Sequence, residues 1–224
     1  MTRASTAGRA QDLEREAREL WRRSWLTLTL LLAGGCGRLF PPASVPADRP
    51  VDWSGEPVQT DTRRSPFTWV AGKETVTLNP RAAFDCPARV ASAEHYSWDD
   101  GAFLAPVDLV LLWGKLPTPP YKDEVSYSQI TRYYFWRTSS TSLDLEYIQS
   151  HSANMHPIPG TANLRRALLA VSAGDDVRVR GLLVDAGTAR GFTWNTSLTR
   201  LDSGPGACEL VWVEELQNGS RLYH

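Results

Sequence analysis

Long apolar runs, lysine and cysteine are all scarce in this chain. The one run long enough to consider as a membrane element covers residues 25–35. It falls short of the roughly 20 residues that a helix needs to cross a bilayer and suits the roughly 7–15 of a cleaved export signal. Lysine occurs only at 73, 115 and 122, and the 24 basic side chains, nearly all Arg, stand against 25 acidic ones. Without a basic excess, binding nucleic acid through bulk electrostatics is excluded. No internal repeat is present. No Gly-x-Ser-x-Gly elbow surrounds a serine, and Ser203-Gly204-Pro205-Gly206 does not have the spacing of a phosphate-cradling loop.

What is present begins with Cys36. Arg22-Arg23 precedes the apolar run, Gly34-Gly35 closes it at the cysteine, and the Pro-rich stretch 40–46 follows. The order resembles a bacterial lipoprotein signal, although Ala33 stands where such signals usually place Leu. Ala33 and Gly35 also satisfy the small-x-small rule of an ordinary signal peptidase, so a soluble mature form starting near Cys36 is the competing reading. The reading carried forward is a signal peptide over 1–35 and lipidation at Cys36. That gives an exported, membrane-anchored lipoprotein facing the periplasm or cell exterior, since several acyl chains suffice for stable attachment where one does not. Six Arg and four acids lie in residues 1–35. Of 24 basic and 25 acidic residues, 18 and 21 then remain, a net charge of −3 for 36–224.

Residues 36–65, rich in Pro, Ser, Asp, Arg and Gly without an apolar period, read as a flexible tether. A single domain is expected over 66–224, with nine Trp, seven Tyr and six Phe in the chain to supply large apolar surfaces. Two-residue alternation dominates. Strands are expected at 75–78, 107–113, 131–136, 177–185 and 208–214, short helices at 143–149 (capped by Ser142) and 162–171, and a loop at 151–160. The fold class expected is mainly β (α+β): a small β-barrel or curled antiparallel sheet of about seven or eight strands with one or two short helices. Gly174-Asp175 with Val177 and Gly181 suggests a strand that curls at Gly181. Export favours a Cys86–Cys208 disulfide over two buried thiols.

Two segments concentrate chemistry. His151-Ser152-Ala153-Asn154-Met155-His156 puts two imidazoles, a hydroxyl and a carboxamide beside Pro157 and Pro159. Two histidines fall short of the three or four ligands a metal site needs, so no metal and no cofactor is expected. The bland alternative is that these side chains lock a turn by bonding to backbone. The second segment, 196–209, carries Arg200 and Asp202 among hydroxyls and glycines. Arg200 suits an anionic group, or else braces a long connection with Asp202. The candidate ligand-binding residues are therefore His151, Asn154, His156, Arg200 and Asp202.

The strings Ser97-Trp98-Asp99, Pro106-Val107-Asp108, Trp113-Gly114, Arg132-Tyr133-Tyr134, His151–His156, Gly174-Asp175 with Gly181, and Ser197–Arg200 through Cys208-Glu209 resemble a family of uncharacterised bacterial proteins. The resemblance spans roughly residues 84–216 and implies no activity. The function expected is a cell-envelope domain binding an envelope protein or small ligand, not nucleic acid. The alternatives are an envelope hydrolase or metal-dependent enzyme using His151 and His156, and a purely structural spacer.

Overall fold

A computed structural model describes residues 41–201, 204 and 206–224. The signal peptide expected over 1–35, the lipidated Cys36 and the candidate Asp202 lie outside the described residues. The strands are β1 (Val45–Pro46), β2 (Val58–Thr60), β3 (Phe67–Ala71), β4 (Glu74–His95), β5 (Val107–Leu112), β6 (Val125–Ile130), β7 (Tyr133–Thr138), β8 (Ser152–Pro159), β9 (Asp176–Thr188), β10 (Thr193–Trp194), β11 (Glu209–Asn218) and β12 (Arg221–Tyr223). The helices among the described residues are α1 (Tyr121–Glu124), α2 (Leu145–Ser150) and α3 (Ala162–Leu168). The chain is mainly β, a curled sheet with short helices, as the alternation predicts.

Ten strands form one sheet, and β6 with β7 forms a second. Within the large sheet β4 pairs with β5, β5 with β8, β8 with β11, β11 with β9, and β9 again with β4. The sheet thus curls until its hydrogen bonding returns to its start. One pair departs from the expected antiparallel arrangement: β8 and β11 run parallel, because the connection between them crosses through α3 and β9. β4 makes the curl possible. Straight, its 22 residues would reach about 70 Å, whereas a single domain of this length has a radius of gyration of about 16 Å. It bends instead at bulges between Pro80 and Ala82 and between Val90 and Ser92. Gly181 lies where β9 crosses closest to β11: a Cβ there would stand 1.8 Å from the Trp212 carbonyl oxygen.

Alternate residues of the five curled strands fill the interior, among them Phe84, Cys86, Leu109, Leu111, Met155, Val179, Leu183, Val211 and Val213. Helix α3 closes one end with Leu164, Ala167 and Leu168, its first turn capped by the Thr161 hydroxyl accepting from Leu164 N–H at 3.0 Å. Helix α2 starts two residues later than expected, because Asp144 rather than Ser142 accepts the capping bond, from Tyr147 N–H at 3.1 Å.

Three expectations are corrected. Residues 151–160 are not a loop: Ser152–Pro159 is a buried strand. Pro157 and Pro159 lie beyond the last β5 partner, Met155, so their missing N–H groups cost that edge nothing. Of the tether expected over 36–65, residues 42–65 are instead part of the folded unit, which begins at Pro42 rather than at 66. β1 pairs with β12 and β2 with β4, Gly114 N–H donates to the Trp53 carbonyl at 2.8 Å, and the Gln217 amide donates to the Arg49 carbonyl at 2.7 Å. These partners are more than a hundred residues away in places, invisible to a local composition count. Finally, Cys86 and Cys208 are not joined. Cys86 belongs to the interior cluster, while the Cys208 sulfur sits on the outer face beside Asn154 Nδ2 at 3.8 Å.

Candidate functional site

The outer face of β5, β8 and β11 is built by alternation. Leu109 and Met155 pair and point into the interior, so Asp108, Asn154 and His156 point outward. Cys208, immediately ahead of β11, joins them. Exposed, such a row would be unremarkable, but Asp108 is 0% and His156 2% exposed because the β6–β7 hairpin and neighbouring loops lie over them. The hairpin is seated by hydrogen bonds: Tyr134 hydroxyl to Ser152 carbonyl at 3.1 Å, Gln129 Nε2 to Asn154 Oδ1 at 2.9 Å, and Asn154 Nδ2 to Arg132 carbonyl at 2.8 Å.

Its two-residue tip, Thr131-Arg132, has φ of 48° and 73°. Hairpin turns of this kind favour Asn-Gly; non-glycine residues there cost of the order of 1–3 kcal/mol each. Contacts made by Arg132 hold the tip down. Its backbone N–H donates to the Tyr96 hydroxyl at 3.0 Å. Its guanidinium donates twice to Asp99, at 2.6 and 2.7 Å, once to Asp108 Oδ1 at 2.6 Å and once to the Ala105 carbonyl at 2.9 Å. The same group lies 3.6 Å above the Tyr96 ring and 5.4 Å from that of Trp194. Burial is the largest single influence on Arg132 and favours proton loss, but the bonds to Asp99 and Asp108 outweigh it and raise its pKa. The same hydrogen bonds, opposed by burial, lower the Asp99 pKa. His156 Nδ1 lies 2.8 Å from Asp108 Oδ1 but is out of line for a hydrogen bond, and Asp108 Oδ2 likewise has none. The His156 ring packs on Trp194 with centroids 4.6 Å apart.

Two clefts open beside this cluster. The larger, about 610 Å³, is lined by Asp100, Arg132, His156, Thr193, Trp194 and Asn195 among others. The other, about 360 Å³, is lined by Phe135, Trp136, Gln149, Ser152, Thr199 and Arg200 among others. Tyr133 and Cys208 line both and form the divide between them.

The expected site residues thus separate. His156 lines the larger cleft; Asn154, buried under the β6–β7 hairpin with its Nδ2 3.8 Å from the Cys208 sulfur, lines neither. Arg200 lines the smaller cleft, donating to Glu56 Oε2 at 3.3 Å and to the Pro57 carbonyl at 2.9 Å, with its guanidinium 5.5 Å from the Trp113 ring. His151 does not converge with His156. Five residues of extended chain put them about 16 Å apart. The His151 ring stacks on Tyr147 at 3.6 Å, its Nδ1 faces the Tyr147 carbonyl at 3.1 Å, and its Nε2 meets Glu56 Oε1 at 2.7 Å. Among the described residues no group of three His, Cys, Asp or Glu side chains is placed to hold a metal ion.

Sequence reasoning missed Arg132, Asp108, Trp194 and Glu56 as site residues. Arg132 and Asp108 sit inside strings that carry the resemblance, which was the available signal. Glu56 had none, because the segment holding it read as a tether. Comparison with known proteins adds nothing to this geometry: no protein-family model, no curated protein and no solved structure matches the chain.

Proposed function

We propose that this is an exported, lipid-anchored domain of the bacterial cell envelope that binds a ligand on the outer face of β5, β8 and β11. The leader ending at Cys36 supports the placement. The larger cleft, floored by the hydrogen-bonded Arg132–Asp99–Asp108–Asn154 network, and the smaller cleft adjoining it carry the binding reading. Connectivity supports it as well. Taken in chain order, β4, β5, β8, β9 and β11 pair first-second-third-fifth-fourth-first, with third and fifth parallel and a helix between third and fourth. That is the order of the five-stranded OB-type Greek-key barrel, which takes ligands over its second and third strands between its first-second and fourth-fifth loops. Here residues 99–101 of the first of those loops and 192–195 of the second line the larger cleft, and Thr199, Arg200 and Ala207 of the second line the smaller. Connectivity alone assigns no ligand.

The test has two arms. Radiolabelled palmitate should enter the wild-type protein and not Cys36→Ser; label retained in the variant sinks the anchor. In hydrogen–deuterium exchange with envelope extract, protection should appear in 96–106, 131–136 and 192–208. Protection elsewhere only would overturn the face.

A thiol-dependent envelope hydrolase is the second reading, favoured by one observation: His156, beside Asp108, and Cys208 line the same cleft. An activated thiol would alkylate with an acid-shifted pH profile that His156→Ala abolishes, as nucleophilic catalysis requires; an ordinary profile rejects it.

A further inference from the structure

We infer that the two clefts are adjacent subsites for a neutral, polyhydroxylated oligomer, an oligosaccharide, with Tyr133 and Cys208 between successive units. This rests on the outer face being the ligand face. Charge argues for it first. The cations lining the clefts are already engaged, Arg132 by Asp99 and Asp108 and Arg200 by Glu56 and the Pro57 carbonyl. A phosphate or sulfate polymer would find no uncommitted cation among the described lining residues. It would instead meet the exposed Asp100 in the larger cleft.

The polar groups that remain are uncharged. Thr193 and Asn195 stand exposed at the rim of the larger cleft, with side chains that no described residue bonds. Thr199 is exposed at the smaller, where Gln149, its Nε2 donating to the Leu201 carbonyl at 3.1 Å, keeps its amide oxygen as an acceptor. Hydroxyls and carboxamides both donate and accept, which is what sugar hydroxyls require. Aromatic surface supplies the rest. Tyr133 and Phe135, 40% and 49% exposed, project from the same face of β7, and Trp136 and Trp194 form walls. The electron-rich face of such a ring attracts the C–H groups of a pyranose, as it attracts other positive edges. Two clefts sharing one divide suit a chain of units better than one compact molecule.

The experiment is a fluorescence and calorimetric titration of the full chain in detergent. The probes are neutral oligomers of one to six units (β-1,4 N-acetylglucosamine, β-1,4 glucose, α-1,4 glucose), dodecathymidylate and a neutral Ala/Ser/Asn decapeptide. At least one sugar series should bind, with affinity rising about tenfold from one unit to four. Asn195→Ala should weaken every length; Phe135→Ala should remove only the gain with length. Val70→Ala, outside both clefts, should change nothing, and all three positions are exposed enough for the variants to fold. No response to any sugar overturns the proposal, as does equal affinity for one and four units or tighter binding of the oligonucleotide. A peptide response abolished by Asn195→Ala and Phe135→Ala overturns the sugar class while keeping the face. A sugar or peptide response indifferent to both substitutions overturns the face as well.

Discussion

Two polar clusters hang on the two ends of β8, and each takes one histidine from the same six-residue segment. At one end His156 lies against Asp108, under Arg132 and Trp194. At the other, His151 shares Glu56 with Trp113 and Arg200. The inventories are similar: an imidazole, an arginine, carboxylate and tryptophan. Burial separates them. The Asp108 side chain is 0% exposed and that of Arg132 14%, whereas that of Glu56 is 57% exposed. Charges deep in the first cluster depend wholly on one another, while water substitutes for partners in the second. The first cluster therefore fixes the hairpin and shapes the floor of the larger cleft, and the second fastens the strap of residues 42–65 against the domain.

The contrast breaks most clearly at Arg132. Arg132→Ala leaves Asp108 buried without its cation and should lower unfolding free energy in urea by about 3–5 kcal/mol. A loss below about 1 kcal/mol would put the two clusters on one footing. Asp99→Asn should act through pH. The folded-state pKa of Asp99 is depressed below its ordinary 3.8 by the Arg132 hydrogen bonds, so its contribution is present above about pH 4 and is lost as pH falls through the lower folded value. The wild type should therefore lose stability below about pH 4 more steeply than the variant; parallel acid profiles would refute the coupling. Thr131→Gly relaxes the left-handed tip and should raise stability by about 1 kcal/mol. Glu56→Gln should cost no more than about 1 kcal/mol, and that cost should vanish in 1 M salt, where the Debye length is about 3 Å; the Arg132 effect should survive the same salt. The smallest effect concerns the sulfurs. In denaturant Cys86 and Cys208 should each take an alkyl group, and in native protein only Cys208, since burial pushes the Cys86 thiol well up and excludes reagent. A mass matching one bridge would restore the disulfide.

Legibility followed the range of the interactions. β9 was readable because Val177, Val179 and Leu183 alternate within one segment, and β5 because the apolar run 109–112, buried on both faces, has little else to be. β8 misled because Pro157 and Pro159 look like breakers until β11 is known to lie alongside. Arg132 carries no local mark: Thr-Arg is a poor tip for a tight hairpin, and its reward comes from Asp99 and Asp108, 33 and 24 residues away. Glu56 meets Arg200 across 144 residues. Candidate residues named from the sequence were chosen by type. The structure divides them by depth, which type does not encode.

The strap has one more consequence. Residues 42–65 enclose no core of their own, yet Glu56 and Pro57 orient Arg200 at the rim of the smaller cleft. A residue at the mouth of that cleft is therefore set by chain 143 and 144 positions upstream, so any change that weakens the pairing of β2 with β4 reaches the cleft through Arg200 while the curled strands beneath stay folded.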